Sequence, residues 1–414
     1  MDNETTIGTI MNQHQDTNKG SRYITEVIIE RFKAAFKPGP IPLKPFNVII
    51  GRNGSGKSTL IEALQWLDTT IRRDAREACD RYYGLHDLIN LRSRTVVPYF
   101  QLTLRWSEEE MSPPVGYRVK VEEGENGSPF IAEEELVTLQ ESGRTEHTYV
   151  STESKGKRVV SPPEDMGLEI PFKEPDMLSL ALAAIFHDSS SSPIDFLQSF
   201  WSSAVFLRLS PSRLALGSPA TRKSFEPLLD EEGQNLPALL SELTQDQREE
   251  LVNNIQGIMP DIENVEVSKA EQGRDTRVHY SLLERMPFRG RGGRSQFPIP
   301  AWMLSEGTRR IIAILALLSH APPPSLLCIE EIENGLDPWT IISVLKHLQS
   351  AADRGTQVVL TTHSPWLLDH VELDTILHVR RAEGDTKYEQ FSSRPEIQGF
   401  FPSIPPGTRY VSEG

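Results

Sequence analysis

The sequence predicts an α/β protein built on a mixed, largely parallel core sheet that is covered on both faces. Three stretches predict it. FNVII at 46–50 is closed by Gly51 and followed by a run of helix formers from Ser58 to about Arg72; SLLCIEE occupies 325–331; and TQVVLTTH occupies 356–363. Each strand run is continuously apolar rather than alternating, as in strands buried on both faces of a parallel sheet. Helical stretches alternate with them, which is the pattern of an α/β layer architecture.

Residues 1–20 are polar and sparse in core-forming side chains, which predicts a disordered tail. They carry no basic region followed by an apolar stretch, so they do not read as a secretion signal. The first part of the main domain spans 21–107. SRYITEVIIE starts as a β-branched strand, KPGPIPLKP turns the chain into FNVII, and VVPYFQLTLRW at 96–106 alternates like a strand with one wet face. Residues 108–299 read as an insertion. It is polar with short β-like pieces to about 165, then helical at 177–205 around an HDSSSSP break and again at 235–256. Two short strands follow within 262–284, and RGRGGRSQFPIP is a loop. Residues 300–414 form the second part of the main domain: a helix over 306–320, the acidic strand, an amphipathic helix over 338–354, the histidine strand and terminal strands. No internal repeat and no sustained heptad pattern occurs, so an antiparallel β portion and a helical insertion are expected but no long coiled coil.

Composition narrows the function classes. At 414 residues, 38% hydrophobic and 24% charged, the chain has the make-up of an ordinary globular protein. No run of 18 or more apolar residues encodes a membrane span. A net charge of −15 argues against coating nucleic acid with the whole surface, while leaving room for a local basic patch. The two cysteines are Cys79 and Cys328, the latter inside an apolar run, which fits a reducing cytoplasm. Histidines show no metal-ligand spacing, so the only metal supported is a nucleotide-bound Mg²⁺.

GRNGSGKS at 51–58 matches the P-loop pattern. Its backbone N–H groups curl around phosphate oxygens, Lys57 neutralises β/γ charge and Ser58 ligates magnesium. The nucleotide-binding residues are therefore Gly51, Arg52, Asn53, Gly54, Ser55, Gly56, Lys57, Ser58 and Thr59. At the end of SLLCIEE, Glu330 sits where an acid would hold magnesium and Glu331 where one would polarise the attacking water. Ser305 and Gly307 of LSEG offer a hydroxyl and backbone donors to an anion at a helix N-terminus, or Ser305 is an ordinary N-cap. His363 of TTHSP stands at a sheet's carboxyl edge, where it reaches a γ-phosphate or is structural. Arg285, Arg289, Arg291 and Arg294 could grip polynucleotide phosphates, or form a solvated loop. Arg309 and Arg310 belong to the same basic element or are salt-bridged helix residues.

In order, these segments (P-loop, LSEGTRRIIAILALL, SLLCIEEIENGLDP, TQVVLTTHSPWLLD) resemble the AAA-family ATPases with ABC-type heads, a group related to RecF, SMC and OLD-family proteins. The resemblance covers 45–72 and 300–370 strongly and DEEGQNLPALL at 230–240 weakly. It implies a signature loop at Leu304 to Gly307, a D-loop at Asn334 to Asp337 and a switch role for His363. It also implies ATP and Mg²⁺ as ligands and a homodimer, or higher oligomer, in which Ser305 of one copy touches the γ-phosphate held by the other. Two departures stand out. Glu330 replaces the usual Asp, and the family's Q-loop glutamine is matched only by Gln101, which would approach the magnesium or be a strand-surface residue.

Three functional readings follow. The first is an ATPase that switches between open and ATP-closed dimers and governs DNA or a separate effector protein, a role the resemblance connects with bacterial anti-phage defence or DNA repair. The second, a transporter's nucleotide-binding subunit, is disfavoured by the 248 positions between Lys57 and Ser305 and by LSEGT in place of LSGGQ. The third, a self-contained nuclease, lacks a further paired-acid domain after residue 370.

Overall fold

The computed structural model describes residues 22–92, 97–107, 113–140, 142–153, 157–161, 177–184, 192–222, 226–272, 275–286, 288, 295–401 and 403–413. The expected tail at 1–20 and Arg289, Arg291 and Arg294 lie outside these residues.

Six strands form the core sheet, in the order Asp385–Gln390, Ile376–Ala382, Phe46–Ile50, Gln357–Thr362, Leu326–Ile329, Val205–Leu207. All neighbours pair in parallel except the outermost Asp385–Gln390, which folds back antiparallel on Ile376–Ala382. FNVII is buried at every position because it has a strand on each side and a layer on each face. Alternate residues feed opposite cores. Ile49, Cys328 and Val359 join one apolar cluster, while Val48, Leu327, Val358 and Leu360 join the other, as the two-residue period of a strand requires.

One face is covered by the helix after the P-loop, Lys57–Arg72, and by a seven-stranded antiparallel sheet. Trp66 of that helix meets Phe100 edge to face at 4.9 Å between ring centres, and Phe100 meets Phe32 at 5.1 Å. The other face is covered by the helices Glu306–Leu318 and Pro338–Asp353. In the seven-stranded sheet, Glu134 is completely buried. Its carboxylate accepts from the N–H groups of Ala181 (2.6 Å) and Leu182 (3.0 Å) and from the Tyr117 hydroxyl (2.8 Å), with Arg158 at 3.7 Å. This network joins the sheet to the helix that follows it.

Four features depart from the sequence reading, the first being that Gln296–Pro300, in the stretch read as a loop, is a strand paired antiparallel with Asp275–Arg285. The strands at 115–123, 129–139, 145–152 and 158–160 continue the same sheet that Tyr23–Glu30 and Tyr99–Ser107 begin. Val205–Leu207, which begins at the last residue of the span read as helical, is the edge strand of the core sheet. The segment read as two short strands is one hairpin of two 11-residue strands, Ile262–Gln272 and Asp275–Arg285. No described helix is long and apolar enough to cross a membrane.

Candidate nucleotide site at the carboxyl edge of the core sheet

Because the core strands are parallel, their carboxyl ends share one edge, where ligands bind in such folds. That edge gathers the P-loop, the two glutamates and His363. The loop passes from Ile50 into the helix through Gly56, whose φ of +106° is a left-handed conformation that glycine adopts without steric cost. The outer antiparallel strand fixes the loop from the side. The Tyr388 hydroxyl donates to the Gly56 carbonyl at 2.7 Å, and the Thr386 hydroxyl lies 3.1 Å from the Ser55 carbonyl.

Lys57 is buried, its ammonium donating to the carbonyls of Gly51 (2.8 Å) and Arg52 (3.2 Å) and lying 3.5 Å from Nδ1 of His363. Burial lowers its proton affinity, and the carboxylates of Glu331, Glu333 and Glu330 act in the opposite sense. Ser58 donates from Oγ to Oε2 of Glu330 at 2.6 Å. Burial raises the Glu330 pKa, offset first by the Ser58 hydrogen bond and then by the charge of Arg208. Two hard oxygen donors side by side are the set a magnesium ion takes, so Ser58 and Glu330 fit that ion, and the longer arm of Glu in place of Asp still reaches the hydroxyl.

Neighbouring strands anchor both acids. The Glu330 N–H donates to the Leu207 carbonyl at 2.9 Å, and the Glu331 N–H donates to Thr361 Oγ1 at 2.9 Å. Glu331 itself has φ +50°, a left-handed conformation costing about 1–2 kcal/mol in a residue with a side chain. Such strain persists where the surroundings over-determine it, and here Asn334 adds a bond from Nδ2 to Glu331 Oε2 at 2.5 Å. A cleft of about 410 Å³ opens beside the pair, lined by Arg208, Glu231, Arg310, Glu330, Glu331 and Asn334.

The remaining sequence-derived residues separate. Ser305 caps the helix Glu306–Leu318, its Oγ accepting from the Thr308 N–H at 3.1 Å. Asp337 caps Pro338–Asp353, accepting from the N–H groups of Trp339 (3.0 Å) and Thr340 (3.1 Å). Gly307 packs directly on the turn before Asp337, since a Cβ there would lie 2.3 Å from the Gly335 carbonyl oxygen. Gln101 pairs in register with Glu30 and lines a hollow with Ile28, Glu30, Thr103 and Arg105 on the antiparallel sheet; no P-loop residue lines that hollow. Arg285 is ion-paired with Glu263. Arg309, left open from the sequence between a basic phosphate-gripping element and a salt bridge, donates to the carbonyls of Ala301 (3.1 Å) and Leu304 (2.8 Å), bracing the turn before Ser305. Arg310 lines the cleft beside Glu331. Sequence reasoning missed Arg208, Glu333, Thr386 and Tyr388. Only Glu333, three positions beyond Glu330, stood near a recognised signal.

Comparisons with known proteins agree with this fold. A family model described as "AAA domain, putative AbiEii toxin, Type IV TA system" matches residues 46–369. Among solved structures, the Smc head bound to the C-winged helix domain of ScpA superposes with a TM-score of 0.55 at 14% identity, covering 89% of this chain and 97% of that one. A Pyrococcus furiosus Smc head with an extended coiled coil gives 0.54 at 13% identity, covering 89% and 96%. At these identities the likeness shows the fold alone. A curated relative, the ABC transporter G family member STR2 of Medicago truncatula, is 38% identical over 73 residues. That stretch is 16% of this chain and only 10% of that protein. With the family model spanning most of its length, the chain belongs to this AAA domain family and carries the head fold of an ABC-type, SMC-like P-loop ATPase.

Proposed function

We propose that the chain binds ATP with Mg²⁺ at its P-loop and hydrolyses it, with Glu331 polarising the attacking water and His363 facing the γ-phosphate. The observation that carries this reading is the Ser58–Glu330 contact at 2.6 Å, with Lys57 and His363 3.5 Å apart on the same sheet edge. Magnesium held by Ser58 and Glu330 would supply positive charge to the β- and γ-phosphates. The chain's own part is positional: the P-loop amides and Lys57 hold the phosphates, and Thr361 and Asn334 set the Glu331 backbone and carboxylate. The test is phosphate release by the purified protein with Mg²⁺ and ATP. Activity that disappears in Lys57→Ala supports the reading; activity that survives in Lys57→Ala refutes it.

The reading extends to a second copy. Ser305 and Asp337 serve this chain only as caps, and both are exposed. That supports a composite site in which Ser305 and Gly307 of one copy face the P-loop of the other. A cytoplasmic ATPase of this kind would use nucleotide-dependent closure to control a separate effector or DNA. The family description, with its AbiEii toxin and Type IV TA system, supports a place in bacterial defence. The Smc head solved with a domain of ScpA supports an effector carried as a separate chain. Co-purification with the product of a neighbouring gene would support that partner; full action by the chain alone would count against it.

A further inference from the structure

Between the acidic strand and the helix Pro338–Asp353, the chain makes the turn Glu331–Leu336, closed by N–H bonds from Asn334 to Glu331 (3.0 Å) and from Leu336 to Glu333 (3.1 Å). Glu333 lies inside this turn. Its Oε1 accepts the backbone N–H of His363 at 2.6 Å, so it grips the histidine strand just where that strand ends. Its Oε2 is buried and makes no hydrogen bond among the described residues, so Oε1 is the attachment seen there. On the far side of the turn, the Gly335 carbonyl abuts Gly307 of the signature helix. Contacts therefore run without a gap from Gly307 to Gly335, along the turn to Glu333, across to His363, and on to Lys57 at 3.5 Å.

We propose that Glu333 is a positioning residue that holds His363 against the P-loop lysine and carries the placement of the signature helix and D-loop to the γ-phosphate side of the site. The proposal rests on the ATPase reading and supplies its regulation: docking at the exposed signature and D-loop alters turnover by moving His363 through one carboxylate. The bond needs an acceptor at the reach of a glutamate side chain and does not need a negative charge. Gln at 333 keeps the reach and loses the charge; Asp keeps the charge and loses the reach by one methylene.

The experiment compares Glu333→Gln and Glu333→Asp, both of which keep a polar group in the turn. Steady-state ATP hydrolysis should fall at least about tenfold in kcat for Glu333→Asp with KM little changed, because sub-ångström misplacement of a reacting group is enough for that. Glu333→Gln should stay within about threefold of wild type. A second readout needs no turnover. In protein labelled with ¹⁵N-histidine, the ring signals of His363, assigned by their loss in His363→Gln, should move in Glu333→Asp and hold still in Glu333→Gln. Wild-type behaviour of Glu333→Asp, or equal impairment of the two variants, would overturn the proposal. A wild-type chain that hydrolyses no ATP would instead remove the ATPase reading, and the histidine signals would still decide the role of Glu333.

Discussion

Gly307→Ala concentrates a perturbation at one point. A Cβ at Gly307 would lie 2.3 Å from the Gly335 carbonyl oxygen, whereas close carbon–oxygen contacts settle at about 3.3–3.6 Å. Roughly 1 Å must be found, and both partners are backbone, one at the start of the helix Glu306–Leu318 and one in the turn Glu331–Leu336. Neither can swing aside as a side chain would. Overpacking of this kind costs about 1–3 kcal/mol. The turn that must move carries Asn334, which holds the Glu331 carboxylate, so Glu331, the proposed catalytic acid, moves with it. A displacement near 1 Å costs on the order of 10²-fold in rate, while the P-loop, on a different segment, keeps its grip on nucleotide. Gly335→Ala is the control. The nearest atoms to its Cβ are 3.8 Å away, so the main cost is the left-handed φ of +71°, about 1–2 kcal/mol. Phosphate release, equilibrium ATP binding and urea unfolding measured on both variants decide the matter. Wild-type turnover in Gly307→Ala, or ATP binding lost together with turnover, would refute the reasoning.

Three further outcomes follow from the same contacts. Thr361→Val removes the acceptor of the Glu331 N–H in a buried setting and should destabilise the protein by about 1–3 kcal/mol in urea unfolding; a loss below experimental error would mean that the N–H finds another partner. Glu134→Ala removes the buried carboxylate that accepts from Ala181, Leu182 and Tyr117 and faces Arg158 at 3.7 Å and should cost about 3–5 kcal/mol, so unfolding within 1 kcal/mol of wild type (about a fivefold change in the equilibrium) would contradict the network described. Burial lifts the Asp68 carboxyl to about 6, with Arg72 pulling the other way. An acid raised in the folded state stabilises the fold while protonated, and that contribution is lost as pH rises from about 4 to about 6. Asp68→Asn has no such loss, so its stability relative to wild type should climb across that window in denaturant titrations at either end; a flat difference would place the shift elsewhere.

The parts of the site that were legible in the sequence are those whose chemistry is contiguous. GRNGSGKS after FNVII, the acid pair after SLLCI and His363 after QVVLTT each announce a strand and a reactive residue in one stretch, and the parallel sheet then brings them to one edge. The illegible parts are contacts made over long separations. Tyr388 reaches Gly56 across 332 positions, and nothing local to either residue signals it. Val205–Leu207 is three residues long within a helix-rich stretch, too short for a period to declare itself, so the sheet edge and Arg208 beside it were hidden. Glu333 reads as a turn acid until the backbone of His363 is placed against it. Gln101, left open from the sequence between a Q-loop role and a strand-surface residue, faces a hollow on the antiparallel sheet that no P-loop residue lines.

The central claim is a nucleotide site shared between two copies, with Glu331 as the acid that ends its closed state. Light scattering of Glu331→Gln with and without Mg-ATP tests it most directly. We expect a mass that doubles or grows further with ATP and returns to its starting value when nucleotide is removed, because the variant binds ATP and cannot release the closed form by hydrolysis. A monomer mass in both conditions, together with brisk hydrolysis by the wild-type chain, would contradict the shared site and leave Ser305 as nothing more than the cap of its own helix.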